Sequence, residues 1–309
     1  MVAMITEQAH AGESAPVQVA PLVNITRNFI RAKRPCAEGF RWFLRRQEVG
    51  SNYQTLLDDL VREGRVGDAC WLLDQFGPTD DVLRVDAIHA DALVFAGTVE
   101  CAGNVDIGGV LRTGRDLHVH GGLNVGEDVQ VGGAARVDGP WQSGGKACVG
   151  SDVRIGWGMV LGGALQCGAS VRVGWEMRCA AKVDISGDLN VGRDLDAQGD
   201  VRCSGRVRIG GDMQVKGAID VGRGIEAGGS VACADHLQVG WGVRAGGHIQ
   251  SQAAIRAGES LFAGGSIEAG DEYGIFAGLA VPMQAWDSSA CVRASAKPQR
   301  LFSGHWSEP

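Results

Sequence analysis

Proline and tyrosine are scarce in this sequence, basic charge is outnumbered, and long apolar runs are missing. Eight prolines against 48 glycines, without a glycine at every third position, exclude collagen and argue against a disordered Pro/Gly tract. Twenty-nine Lys and Arg face 36 Asp and Glu, giving a net charge of −7. The imbalance lies mostly between Val85 and Gly278, with 23 acids against 16 bases. That balance disfavours nonspecific binding to nucleic acid or to an anionic membrane. No stretch approaches a membrane-spanning length. The first residues carry Glu7 and Glu13 and lack a basic start followed by an apolar run, so no signal peptide is expected. Nine cysteines show no CxxC spacing and no Cys/His cluster. Reduced thiols in a cytoplasm are expected, with no disulfide framework, metal or cofactor.

What is present is a repeat. From Leu93 the chain falls into six-residue units without an insertion: LVFAGT, VECAGN, VDIGGV, LRTGRD, LHVHGG and onward to IEAGDE at 267–272, thirty hexads in all. Position one is nearly always Leu, Val, Ile or Met. Position three is mostly Val, Ile, Ala, Cys, Thr or Ser, and position four is most often Gly. Positions one and three share one side of an extended segment, and position two points the other way. Glycines at four and five suggest a tight corner with unusual backbone angles. Each hexad therefore reads as a short strand and a bend, stable only when coils stack in parallel.

A second period sets the size of the coil. Hexads lacking Gly at position four include those starting at 99, 117 and 135, and again those at 177, 195, 213, 231 and 249. Within each run the step is 18, or three hexads per coil. The expected fold is mainly β: a single-stranded, triangular parallel β-solenoid of about ten 18-residue coils, with a small N-terminal helical cap. Ten coils would span roughly 45–50 Å. The repeat resembles the Gly-rich β-solenoids of bacteria, such as the polymer-forming bactofilins. More distantly it resembles the hexapeptide-repeat β-helix of many acyltransferases. The first resemblance implies a self-associating scaffold; the second implies a transferase that uses histidines between coils.

The flanks differ. Residues 22–82 are low in Gly and show apolar residues at helical spacing, predicting helices near 35–47, 52–63 and 66–76. These would dock Phe43, Leu57, Leu60, Trp71 and Leu72 onto the first coil as a cap, because an open sheet edge invites aggregation. The expected organisation is a disordered segment at 1–21, a helical capping domain at 22–82, the solenoid at 83–278 and a capping tail at 279–309. Trp286, Phe302 and Trp306 would cover the far end.

Candidate chemistry is sparse. His118 and His120 form an outward pair, and Asp138, 18 residues beyond His120, could stack on it. An active site there is the sharp reading; a solvated outward His and a corner His is the bland one. Cys101, Cys167, Cys179, Cys203 and Cys233 sit at inward position three, where a thiol acts as a small hydrophobe. Cys167 and Cys203 lie two coils apart, too far for a disulfide. Trp157, Trp175 and Trp241 occupy corner position five, either covering glycine backbone or forming hot spots for a partner. Trp141 stands at inward position one, flanked by Ala135 and Ala147 at the same position of adjacent hexads. The 18-residue step predicts outward columns. One reads Glu100, His118, Arg136, Arg154, Arg172, Asn190, Arg208, Glu226, Arg244; another reads Asp184, Arg202, Asp220. Arg136, Arg154 and Arg172 would form a basic strip on an acidic rod. The expected role is a non-enzymatic scaffold that binds itself or another protein, without nucleic acid or membrane. Its alternatives are a hexapeptide-type acyltransferase and a rod-like charged adaptor or decoy.

Overall fold

The computed structural model describes residues 31–33, 39, 41, 44 and 52–308. Its main body is a parallel β-solenoid of about twelve turns with three sheets. Face A holds 13 strands, from Val82–Val85 to His305–Trp306. Face B holds 11, from Ile88–Ala90 to Ile267–Glu268, and face C holds 12, from Leu93–Phe95 to Leu301–Ser303. Between Leu93 and Ile267 each hexad contributes one short strand, nearly always of three residues, and residues 18 apart pair in register, as in Val153↔Val171. At ~4.8 Å per turn the rod is roughly 55–60 Å long.

Local chemistry explains the strand pattern. Positions one and three of almost every strand are buried and position two is at least partly exposed. The inward residues form one continuous core along the rod. Trp141 is 1% exposed, and Ala135 and Ala147, on the two other faces of its coil, are buried beside it. Two small side chains thus offset one large one at constant volume. The indole Nε1 finds no acceptor.

The corner glycines act through space rather than through dihedral angle, contrary to the sequence reading. Among the described glycines, left-handed φ values occur only at Gly64, Gly77, Gly278 and Gly304, none of them a corner of the hexad repeat. What requires Gly is the approach of one coil to the next: a Cβ on Gly126 would lie 1.9 Å from the Gly108 carbonyl oxygen. The two non-Gly runs fall on different edges, Ala102–His120–Asp138 after face A and Ala180–Gln198–Lys216–Ala234–Gln252 after face B.

Two further side-chain ladders hold the edges. At position six, Asp, Asn and Ser accept a hydrogen bond from the backbone N–H one coil later. Asp116 serves Ala134, Asp188 serves Arg206, and Asp194 serves Asp212, which serves Ser230. Part of the acidic charge is therefore structural. At position three, small polar groups donate to position-five carbonyls: Cys167 to Ser151 at 3.0 Å, Cys179 to Gly163 at 3.0 Å and Ser251 to Asp235 at 2.6 Å. These three carbonyls receive no backbone N–H from the next coil. Burial pushes the Cys203 thiol up to about 11 and raises those of Cys101, Cys167, Cys179 and Cys233 as well. They are neutral thiols, and all eight described cysteines are free.

The helical cap takes a different position from a lid over the end. Helices α1 (Tyr53–Arg62) and α2 (Val66–Phe76) form a hairpin whose core includes Leu57, Leu60, Leu72, Val94 and Ala96. Val94 is an outward residue of face C, so the hairpin lies against the side of the first coil. The Gln54 amide also closes the open edge of that face. Its Nε2 donates to the Val94 carbonyl at 3.0 Å, and its Oε1 accepts from the Ala96 N–H at 2.9 Å. One coil on, Arg112 is buried beneath the hairpin and paired with Asp74. Trp71 packs against the same cluster, while Phe43 and residues 1–21 lie outside the described residues.

The C-terminal segment also does more than cover. After a detour with a short helix at Trp286–Ser289, strand Cys291–Arg293 rejoins face A beside Leu261–Ala263. Leu301–Ser303 extends face C, and His305–Trp306 extends face A again. Leu301 and Trp306 pack against the core, whereas Phe302 stays exposed and stacks on Phe276 at 5.6 Å between centroids.

Candidate interaction surface

Face A carries the expected outward column. Pairing runs Glu100↔His118↔Arg136↔Arg154↔Arg172↔Asn190↔Arg208↔Glu226↔Arg244, each one coil from the next. The structure extends it in both directions, with Arg84 before Glu100 and Phe262 and Arg293 after Arg244. Seven arginines therefore face two glutamates on this one surface, on a chain of net charge −7. The corresponding column of face B has one arginine against three acids. The basic charge is concentrated, not averaged over the prism.

The arginines differ in how they are held. Arg84 pairs with Glu100 at 2.8 Å, Arg136 with Asp138 at 3.0 Å and Arg208 with Glu226 at 3.4 Å. Arg154 and Arg172 are exposed and make no ion pair or hydrogen bond among the described residues. Asp152, whose Oδ1 accepts the Ser170 N–H, forms no ion pair with either of them. Like charges one coil apart repel, so the side chains splay into water. The face C column Asp184↔Arg202↔Asp220 aligns as expected, but forms no ion pair within 4.0 Å among the described residues. Exposed pairs of this kind contribute too little to fix two long side chains.

The histidine cluster assembles only in part. His120 Nδ1 lies 2.9 Å from Asp138 Oδ2, as the stacking predicted. Asp138 also accepts from Arg136, and that bond first, then His120, holds its carboxyl below the usual value. His118 sits between Glu100 and Arg136 in the column, away from that pair. His120 is two-thirds exposed. The arrangement is a surface triad of Arg136, Asp138 and His120. No group of three metal-binding side chains occurs among the described residues.

The tryptophans flank face A on both edges. Trp157 and Trp175 occupy the corner after it, one coil apart, with the Trp175 N–H bonded to the Trp157 carbonyl at 3.1 Å. Trp157 is 67% exposed, so it does not serve chiefly to cover glycine backbone. Arg193 stacks over Trp175 at 4.7 Å. Trp241 stands on the preceding edge, with Arg206 and Arg223 over its ring at 5.8 and 5.6 Å. Between the edges, a groove of about 1220 Å³ runs along face A from Arg172 to Phe262 and ends at Arg293 and Cys291 of the C-terminal segment. Its floor is backbone, because position four is glycine from Gly174 through Gly264.

Phe262 was accessible to the 18-residue step and was missed because the residue breaks the polar pattern. Arg293 was not accessible, since 31 residues separate it from its neighbour Phe262.

No helix among the described residues is long and apolar enough to cross a membrane. No curated protein and no solved structure matches the chain. The family described as YdhT N-terminal domain matches residues 18–76, the segment that contains α1 and α2 and ends where the solenoid is about to begin.

Proposed function

We propose that the protein is a non-enzymatic scaffold whose rigid solenoid presents face A to an acidic protein surface, either a partner's or that of another copy. One observation carries this reading: arginines stacked in register on a flat face, with Arg154 and Arg172 exposed and unpaired. A stack of like charges costs repulsion and adds nothing to the fold. Its benefit lies in binding something of opposite sign. Exposed Trp157, Trp175 and Trp241 on the flanking edges suit the same role, as aromatic anchors beside a charged strip. A likeness to the bactofilin type of polymer-forming solenoid fits this use, and a cytoplasmic location fits the eight described cysteines, all free.

The test is sedimentation of the wild type and of the Arg136→Gln, Arg154→Gln, Arg172→Gln triple variant, alone and with polyglutamate, at low and high salt. The wild type is expected to associate with itself or with polyglutamate at low salt. Salt above about 0.1 M should weaken this, because the Debye length falls below ~10 Å. The triple variant should lose it. A wild type that stays monomeric and ignores polyglutamate at low salt overturns the proposal.

A further inference from the structure

Within face A, the groove at its C-terminal half differs from the strip beside it. There the arginines alternate: Arg172, Arg208, Arg244 and Arg293 are separated by Asn190, Glu226 and Phe262. Consecutive arginines are two coils apart, hence ~9.6 Å, and the four span ~29 Å. We infer that this groove binds an extended peptide in the polyproline II conformation, with an acidic residue at every third position. The inference rests on the reading of face A as a protein-binding surface and names the ligand it takes.

The geometry selects this partner. A polyproline II chain repeats every three residues over ~9.3 Å, so residues i, i+3, i+6 and i+9 share one side and cover ~28 Å. The mismatch with the arginines is about 1 Å over the whole groove. A β-strand turns every second residue to the opposite side, so acids three apart would not all face the arginines. An α-helix rises ~5.4 Å per turn and matches neither one coil nor two. The intervening residues agree with the period. An acid at every coil would meet Glu226, whereas an acid at every second coil skips it. The glycine floor lets a backbone approach closely. Two of the guanidiniums are already placed: Arg244 and Arg293 stack on opposite sides of the Phe262 position, at 5.3 and 5.9 Å from its ring.

The experiment uses the full chain and fluorescent peptides of equal length and charge. Each carries four glutamates in a proline chain long enough for the widest spacing; one places them at every third position, the others at every second or fourth. The period-three peptide is expected to bind best by fluorescence anisotropy. The Arg208→Gln, Arg244→Gln double variant should weaken it by about tenfold, while Arg202→Gln, on face C and outside the groove, should leave it unchanged. Equal affinity for all three spacings, or a double variant that binds as well as wild type, overturns the inference. If that happens while polyglutamate association remains salt-sensitive, face A still binds anions and only the selected ligand falls.

Discussion

Trp141 shows how one residue depends on two others that it does not resemble. The indole fills the prism because Ala135 and Ala147 leave the space. Trp141→Ala should cost roughly 3–5 kcal/mol in denaturant unfolding, since neither alanine can grow to fill the void. Trp141→Phe should cost much less, as it keeps most of the volume and removes an indole N–H that has no acceptor. The cysteines yield a second expectation. Cys203 titrates near 11 when folded, against ~8.5 for an unfolded thiol. Below ~8.5 both states hold the proton, and this group leaves stability unchanged with pH. As pH rises from there through about 11 the unfolded chain ionises first, and stability is lost. Alkylation at mildly alkaline pH should therefore label half-buried Cys148 and Cys291 in the native protein. It should reach Cys167, Cys179 and Cys203 only after unfolding; rapid native labelling of those three would contradict their burial. The inward thiol pattern was readable from the hexads. Its bond to a corner carbonyl was not, because sequence does not show which carbonyls the backbone ladder leaves unserved.

At the scale of the element, the α1–α2 hairpin matters through one amide. Gln54 completes face C as a peptide group of a preceding strand would. Gln54→Ala leaves the Val94 carbonyl and Ala96 N–H without a partner, at a cost of about 1–3 kcal/mol. Hydrogen exchange should then show lost protection at Ala96 and in α1, with coils from the middle of the rod unaffected. Gln54→Glu should behave similarly, because a carboxylate cannot donate to the carbonyl. Deleting residues 1–78 removes the hairpin as a whole, and edge association is expected in size-exclusion chromatography. A monodisperse monomer after that deletion would show that the hairpin does not protect the edge. Helices at these places were legible from apolar spacing, and Gly64 and Gly77 follow their ends with left-handed φ. Their seat on the side of face C was not, because nothing periodic ties a helix to one face of a three-fold prism.

For the whole molecule the 18-residue coil is the unit of tolerance. Removing residues 213–230, one coil, should leave a folded rod shorter by ~4.8 Å, since every later residue keeps its face. Removing six residues from the same region rotates all later hexads by one face. The core pattern survives, but Arg244 leaves the arginine column and the C-terminal strands lose their partners. Thermal melts should show a small loss for the first deletion and a large one for the second. Comparable melts for both would mean that the C-terminal segment is not anchored by register.

The hexad period determined the strands, the three faces, the inward and outward residues and the order of the arginine column from Glu100 to Arg244. Those features are local and repeated, and a short period with one steric solution leaves the chain little choice. Only the tertiary structure decided where the non-repeating segments attach. It brought Arg293 beside Phe262, closed the groove of face A and set Gln54 against the first strand of face C. Each of these depends on side chains meeting across tens of residues of irregular chain, where no period constrains the path and only packing selects it.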